Sequence, residues 1–505
     1  MSKLATLLAS TALLSISAAE LAFAAEDLGP IQRDEQVREV PYDRELFSSD
    51  PQYSITFDPQ AEIEIYGGKS AISTPRPPLE IFRDMYDEGP LGEGFSLFGD
   101  KNRLTPQILV FGDLRSAIAF NDNGDTEIAQ IAARANINID FKLTATERIH
   151  LFFQPMQNGA EFTRWEFAGG DGNRDRGVQF ETTEQPTNAF LEGDLGAIFA
   201  GLTGEYNKND IPFAAGRVPL FLQNGVWFDD QFLGFAVTPF VAQNSATFDI
   251  TNFDITFFAG FDEIDSPAII DGPTGAQAEH DANIYGFHGF FDLREGYLEA
   301  GYAYLDDRDG SNGDFSYHNF TLAFSKRYQA TVSNATRVIV NVGQDPGFGF
   351  NETAQGVLFI SENSWITHLP LTLIPFTNFW FGVDSVQSAS RNAAAGGVLK
   401  NIGLNFETDG LTGFPTLDAT GIDTFGGAIG LQYLFGFDQQ IVGEFAAVFP
   451  YDDREGPAKD PQFGFGVRYQ KPLTNRLIFR ADAMYGYLLD AQDLSGVRAE
   501  LRLKL

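Results

Sequence analysis

The chain has 505 residues, 34 Lys+Arg against 69 Asp+Glu for a formal charge of −35, 49 Phe, 51 Gly and no Cys. With 43% hydrophobic and 20% charged residues it is too apolar to stay unfolded. The acidity argues against nucleic acid, whose phosphates need a cationic face, and the missing Cys excludes disulfide frameworks, thiolate metal sites and Cys nucleophiles.

Residues 1–24 read as an export signal: Lys3, the apolar run Leu4 to Ile16, then small residues leading to Ala22-Phe23-Ala24, with cleavage expected before Ala25. The run is too short to span a bilayer, and the acidic, Pro-bearing stretch after it has no stop-transfer character. Removing the signal takes away one Lys and one Glu, so the acidity belongs to the mature protein. Residues 25–105 are Pro-rich and charged, with a short helix expected around Leu79 to Asp87. They read as a periplasmic extension or a lumen plug.

From about residue 106 to the end, apolar residues recur with period two, the signature of strands with one apolar and one polar face. Ile131, Ala133, Ala135, Ile137, Ile139, Phe141 and Leu143 alternate with Ala132, Arg134, Asn136, Asn138, Asp140 and Lys142. Near the C-terminus, Phe463, Phe465, Val467 and Tyr469 alternate with Gly464, Gly466, Arg468 and Gln470, and Leu477 to Tyr487 repeats the pattern around Arg480 and Asp482. The last strand places Val497, Ala499, Leu501, Leu503 and Leu505 on one face and Arg498, Glu500, Arg502 and Lys504 on the other.

Strands this long with aromatic ends suit a closed antiparallel barrel in lipid better than a soluble sandwich, whose strands run about five or six residues. Tight turns such as Thr144 to Arg148, Gly436 to Asp438 and Pro472 to Arg476 alternate with long polar connections at 158–186, 262–281, 306–314 and 451–461. Chain ends on one side require an even strand number, and the pattern yields 18, with 16 and 20 left open. The uncharged stretch Ser364 to Val383 contains Pro370 and Pro375, so a loop running into a strand is expected there rather than a helix.

The signal, the loop asymmetry and the final strand at the last residue make the chain similar to Gram-negative outer-membrane porin-type barrels over residues 106–505. The turns Leu143-Thr144-Ala145-Thr146-Glu147-Arg148 and Leu473-Thr474-Asn475-Arg476 resemble the Leu-Thr-x-Arg type that such barrels place at the periplasmic rim. The chain departs from the pattern in ending with Leu505 rather than an aromatic. Its length and lumen arginines also resemble alginate-export and substrate-selective porins. The resemblance implies outer-membrane localisation, contact with outer-membrane lipid and lipopolysaccharide, and small hydrophilic solutes as the cargo; a homotrimer is common in the architecture.

Closing such a barrel brings Arg115, Arg134 and Lys142 beside Arg468, Arg480, Arg498, Arg502 and Lys504, with Asp113, Asp140, Asp482 and Glu500 interleaved. This wall either sets a transverse field favouring anions or is internally neutralised; the residues leave both open. Residues 216–230 read as an aromatic constriction loop, with Arg217, Gln223, Trp227, Phe228, Asp229 and Asp230 as its chemistry and Trp227 and Phe228 as a stacking surface for sugar rings. The alternative is a mouth loop packing on itself.

Nothing calls for a cofactor or metal: the Asp307 to Gly313 stretch fails the EF-type pattern, which needs Gly at Asn312 and Glu at His318. His150, His280, His288, His318 and His368 carry no hydrolase motif, so an enzyme is not expected. The expected function is diffusion of small hydrophilic solutes through a pore with an Arg/Asp wall. A gated export or docking barrel plugged by residues 25–105 and a barrel-embedded hydrolase are the alternatives.

Overall fold

A strand with alternating faces satisfies its backbone only by pairing on both edges, and in hydrocarbon only a closed sheet does so for every strand. The chain adopts that solution in a computed structural model describing residues 77–82, 94–97 and 99–505, except 125, 160, 170–176, 246–249, 272–275, 278–281, 309–312, 348, 368–372, 393–394, 409, 436–437, 452–457 and 490. The expected signal lies outside the described residues, as does most of 25–105.

Eighteen strands close an antiparallel barrel. The first five are β1 (Gln107–Asp122), β2 (Glu127–Lys142), β3 (Arg148–Phe153, continued by Glu161–Gly169), β4 (Asn188–Asp194) and β5 (Pro212–Leu222). They are followed by β6 (Phe228–Ser245), β7 (Ile250–Asp262), β8 (Ala282–Leu293), β9 (Gly296–Asp307), β10 (Tyr317–Tyr328) and β11 (Val332–Val342). The wall is completed by β12 (Gln355–Trp365), β13 (Leu373–Ser385), β14 (Thr424–Phe435), β15 (Gln439–Pro450), β16 (Gln462–Pro472), β17 (Leu477–Leu488) and β18 (Leu494–Lys504). Consecutive strands pair, and β1 closes on β18 in a register running from Asp113↔Lys504 to Asp122↔Ser495. Both barrel ends therefore lie at one rim, the base; the other rim is the mouth.

The outward faces carry Leu114, Ile118, Phe120, Phe257, Phe320, Ile429, Phe445, Phe465 and Val497, all exposed. An apolar belt around the wall exceeds what a water-soluble monomer exposes and matches a bilayer. No described helix is long and apolar enough to cross a membrane. Across 364–383, β12 ends at Trp365 and β13 begins at Leu373 with Pro375 in the wall, so strand and not helix occupies most of the described part, while Pro370 lies outside the described residues.

At the base, Glu147 in the β2–β3 turn gathers four donors. Its carboxylate accepts from Asn102 Nδ2 at 2.7 Å, Thr146 Oγ1 at 2.7 Å, the Asp194 amide at 3.2 Å and Thr144 Oγ1. Burial alone would raise its pKa, but these bonds outweigh it and hold the carboxyl below its ordinary value.

The expectation of a helix around Leu79 to Asp87 is corrected where the chain is described. Leu79–Ile81 is a strand running parallel to Ile108–Val110. The physical reason is an open edge: β18 ends at the Leu505–Gly112 bond (2.8 Å), and below it the first residues of β1 would lack partners on that side.

Candidate functional site

Residues 386–423, which connect β13 to β14 at the mouth, turn into the lumen and were not anticipated as a long loop. The segment carries only six charged residues and buries Val398, Leu399, Ile402, Phe406, Leu411 and Leu417, so it needs a packed surface rather than water. That surface is the inner wall. Glu444 on β15 accepts from the Leu404 amide (2.7 Å), the Asn405 amide (2.9 Å) and Asn405 Nδ2 (2.8 Å). Opposite Asn405 the inward positions of β16 are Gly464 and Gly466, where a Cβ would stand 2.9 Å and 3.1 Å from Asn405 Oδ1. Further along, the Thr412 carbonyl accepts from Asn121 Nδ2 (2.7 Å) and Gln130 Nε2 (2.6 Å), on β1 and β2.

The start of this loop is clamped to the β5–β6 turn. Phe228 and Asp229 pair in parallel with Ser390 and Arg391, and Ser390 Oγ donates to Asp230 Oδ2 at 2.5 Å. Lys400 pairs with Asp229, and Asn401 Nδ2 donates to the Asn224 carbonyl at 2.6 Å. Burial pulls the Arg391 guanidinium down to about 10 against the opposing pull of Asp229 and Asp230.

The expected constriction loop at 216–230 is corrected to a strand hairpin: Arg217 lies in β5, Asp229 and Asp230 lie in β6, and only 223–227 form a turn. The turn does enter the lumen, where Gln223 Oε1 accepts from Thr321 Oγ1 (2.8 Å) and Trp227 Nε1 donates to Asn319 Oδ1 (2.8 Å). Trp227 and Phe228 are fully buried, with Trp227 stacked 5.9 Å from His288, so neither offers a free face to a sugar ring. An indole N–H pointed inward needs a buried acceptor, and Asn319 supplies it. Arg217 instead ties mouth segments together, pairing with Glu263 and donating to the Pro186 carbonyl at 2.8 Å.

Below the loop is a chamber of about 240 Å³ whose lining includes Arg115, Arg134, Arg480, Arg502, Glu407 and Glu500. The register of the closed barrel creates it, since Arg115 faces Arg134 on β2 and Arg502 on β18. Glu500 takes Arg115 in a fork at 3.0 and 2.7 Å, and Asp113 pairs with Arg502 Nε at 2.9 Å. Beside it, Asp482 accepts from Arg468 Nε (2.6 Å), Arg480 Nε (2.8 Å) and Arg498 NH2 (2.8 Å).

Glu407, from the loop, meets Arg468 NH1 at 2.6 Å and Arg480 NH2 at 3.3 Å. Burial would raise its pKa; the two guanidiniums outweigh that and hold it below the ordinary carboxylate value. Among the described residues named here, six guanidiniums stand with four carboxylates, a formal excess of two positive charges; Asp409, between the lining residues Thr408 and Gly410, lies outside them. Lys142 ends β2 in register with Arg148 and does not line this chamber.

On the mouth side of the loop a larger space of about 1140 Å³ is lined by residues including Phe350, Glu352, Asp384, Arg391 and Asp423. The loop lines both spaces, Glu407, Thr408, Gly410 and Leu411 the arginine-rich one and Gly396, Gly397 and Val398 the wider one. Missed in the sequence were Glu407, Asn405 and Glu444. The readable signal for the loop was the pair of inward glycines on β16, which clears room for something to pack there.

The histidines lie elsewhere. His150 bonds Asp140 (2.6 Å), His288 bonds Glu299 (3.1 Å) and His318 bonds the Tyr302 hydroxyl (2.9 Å); His280 and His368 lie outside the described residues. The Asp307 to Gly313 stretch also falls largely outside them, and among the described residues no cluster of metal-ligating side chains occurs.

No protein-family model matches the chain, and no curated protein matches its sequence. Among solved structures, the barrel is similar to OccAB4 of Acinetobacter baumannii, with 8% identity and a TM-score of 0.50 over 78% of this chain and 97% of that one. It is equally similar to OccK8 (OprE) of Pseudomonas aeruginosa, with 10% identity and a TM-score of 0.50 over 78% and 97%. The likeness is one of fold, a closed 18-strand antiparallel β-barrel.

Proposed function

We propose that this protein is a channel of the Gram-negative outer membrane that passes small hydrophilic solutes, anions in preference to cations. The apolar belt and closed wall make the outside compatible only with lipid, so solute traffic runs through the lumen. The observation that carries the preference is the inner chamber, where Arg115, Arg134, Arg480 and Arg502 surround a space of about 240 Å³. In a low-dielectric constriction, an excess of fixed positive charge concentrates anions and repels cations. The base is then the periplasmic rim and the mouth the external one, with 386–423 as the constricting loop and the expected pore-lining arginines as the selective wall.

The comparison structures support the barrel architecture and leave the cargo to the residues. The three described histidines bond Asp140, Glu299 and the Tyr302 hydroxyl, none of them a serine or threonine nucleophile. The test is reconstitution of folded barrels in a planar bilayer under a KCl gradient. An ohmic current reversing on the chloride side supports the reading; folded, inserted barrels without current above background overturn it.

A further inference from the structure

At the base, β4 and β5 are joined by α1 (Leu195–Thr203), nine residues without a charge. Its start is fixed by Asp194, whose carboxylate accepts the Ala197 and Ile211 amides at 2.8 Å each, and its end by Gly204 in the left-handed region at φ 74°. The face turned to the protein is made of Gly196, Ala200 and Gly201, all buried. Backbones approach so closely there that a Cβ on Gly99 would stand 1.9 Å from the Gly201 carbonyl oxygen. The opposite face carries Leu195, Ile198, Phe199 and Leu202, at the i, i+3, i+4, i+7 spacing of one helix side. Small residues are packed and large ones presented: Phe199 is 55% and Leu202 62% exposed. The segment lying against α1 does the same. Phe95 and Leu104 exchange backbone hydrogen bonds at 3.0 Å, closing a loop that leaves Phe95 and Leu97 exposed.

These side chains gather on the outer side of the rim. Glu192 on β4 points into the lumen, where it meets Arg148 and His150, so the next residue, Gly193, faces outward. A Cβ at Gly193 would stand 3.1 Å from Glu147 Cγ, which puts the Glu147 side chain, and Asn102 bonded to it, on that outer side. The exposed face of α1 is thus continuous with the apolar belt at the end of β4. Charges flanking it are balanced, Lys101, Arg103 and Lys208 against Asp100, Glu205 and Asp210, and Tyr206 stands exposed among them. That combination suits insertion by apolar area among zwitterionic headgroups rather than attraction to an anionic surface.

We infer that α1 and the 94–104 loop form a foot that seats in the periplasmic leaflet of the membrane, with Phe95, Leu97, Phe199 and Leu202 among phospholipid acyl chains and Tyr206 at the headgroups. The foot sets the depth at which the barrel sits. It rests on the base being the periplasmic rim, as the channel reading has it, and not on conduction. Glu147 ties the foot to the wall, since it accepts from Asn102 of the loop and from the Asp194 amide at the start of α1.

Because the chain has no Cys, a single nitroxide can be attached at a chosen position. Leu202→Cys is labelled and reconstituted at one barrel per phosphatidylcholine nanodisc, with Phe465→Cys on the apolar belt as the lipid reference and Asn475→Cys in the β16–β17 turn as the water reference. Leu202 is exposed, so the substitution removes no packing. The ratio of collision rates with oxygen and with a water-soluble nickel chelate at position 202 is expected to lie near that at 465 and to exceed that at 475 by about fivefold or more. A ratio equal to that at 475 overturns the foot, as does a label shielded from both reagents, which would mean that protein covers α1. Water-like values at 465 as well would overturn the bilayer placement of the barrel itself, and this inference with it.

Discussion

Asn405 and Glu444 meet twice at one oxygen: Glu444 Oε1 accepts the Asn405 backbone amide at 2.9 Å and its side-chain amide at 2.8 Å. The contact joins the turn of an inward loop to the middle of a wall strand, and the other oxygen takes the Leu404 amide. Glu444→Ala strands these buried donors at about 1–3 kcal/mol each. The expected result is a lowered thermal midpoint, read by the heat-induced gel shift of the folded barrel, together with larger and noisier single-channel currents. An unchanged midpoint and current would show that the loop does not depend on this anchor.

Gly464 supplies a steric counterpart. A Cβ there would stand 2.9 Å from Asn405 Oδ1, so Gly464→Leu cannot coexist with the loop as placed. The wall strand tolerates the substitution, because inward positions of β16 have space once the loop withdraws. Limited proteolysis is expected to cut within 386–423 in this variant and to spare the wild type, while far-UV circular dichroism keeps its strand signal.

Charge reversal on the wall addresses selectivity directly. Arg480→Glu replaces a chamber guanidinium with a carboxylate beside Asp482 and Glu407, changing the local charge by two units. The chloride-to-potassium permeability ratio is expected to fall by about tenfold, enough to reverse the sign of the potential under a KCl gradient. Arg308→Glu, at an exposed arginine of the mouth, is the control and is expected to leave the ratio within about twofold.

Acid titration probes Glu407. Arg468 and Arg480 outweigh burial and the repulsion of Asp482, so its carboxyl protonates below the ordinary value of 4.5. A depressed carboxyl contributes its ion pairs fully above the unfolded value and loses them only as pH falls through the lower folded one. Reversal potentials are therefore expected to be flat from about pH 7 to 5 and to shift toward stronger anion preference only below about pH 4. A midpoint near pH 6 would contradict the placement of Glu407 between two arginines.

Much of the wall was legible because alternation is a local property. Arg134 and Asp140 on β2, or Arg498 and Arg502 on β18, fall on one face by parity alone, and once the barrel is taken as closed Arg115 must neighbour Arg502. Trp227 was misread because its role depends on Asn319, 92 residues away, which turns an aromatic turn into buried packing. Leu79–Ile81 was misread as helix because its pairing with β1 answers an edge left open by where β18 stops, not any pattern of its own.

Composition and period-two patterning by themselves determined a lipid-facing antiparallel cylinder with charged residues on its inner surface, because each strand's side chains must alternate between two media. Only the tertiary structure decided what stands inside it. A loop of 38 residues with few charges has no periodic signal, and its path is set by bare glycines on β16, a buried carboxylate on β15 and arginines on β16 and β17 that become neighbours only after closure.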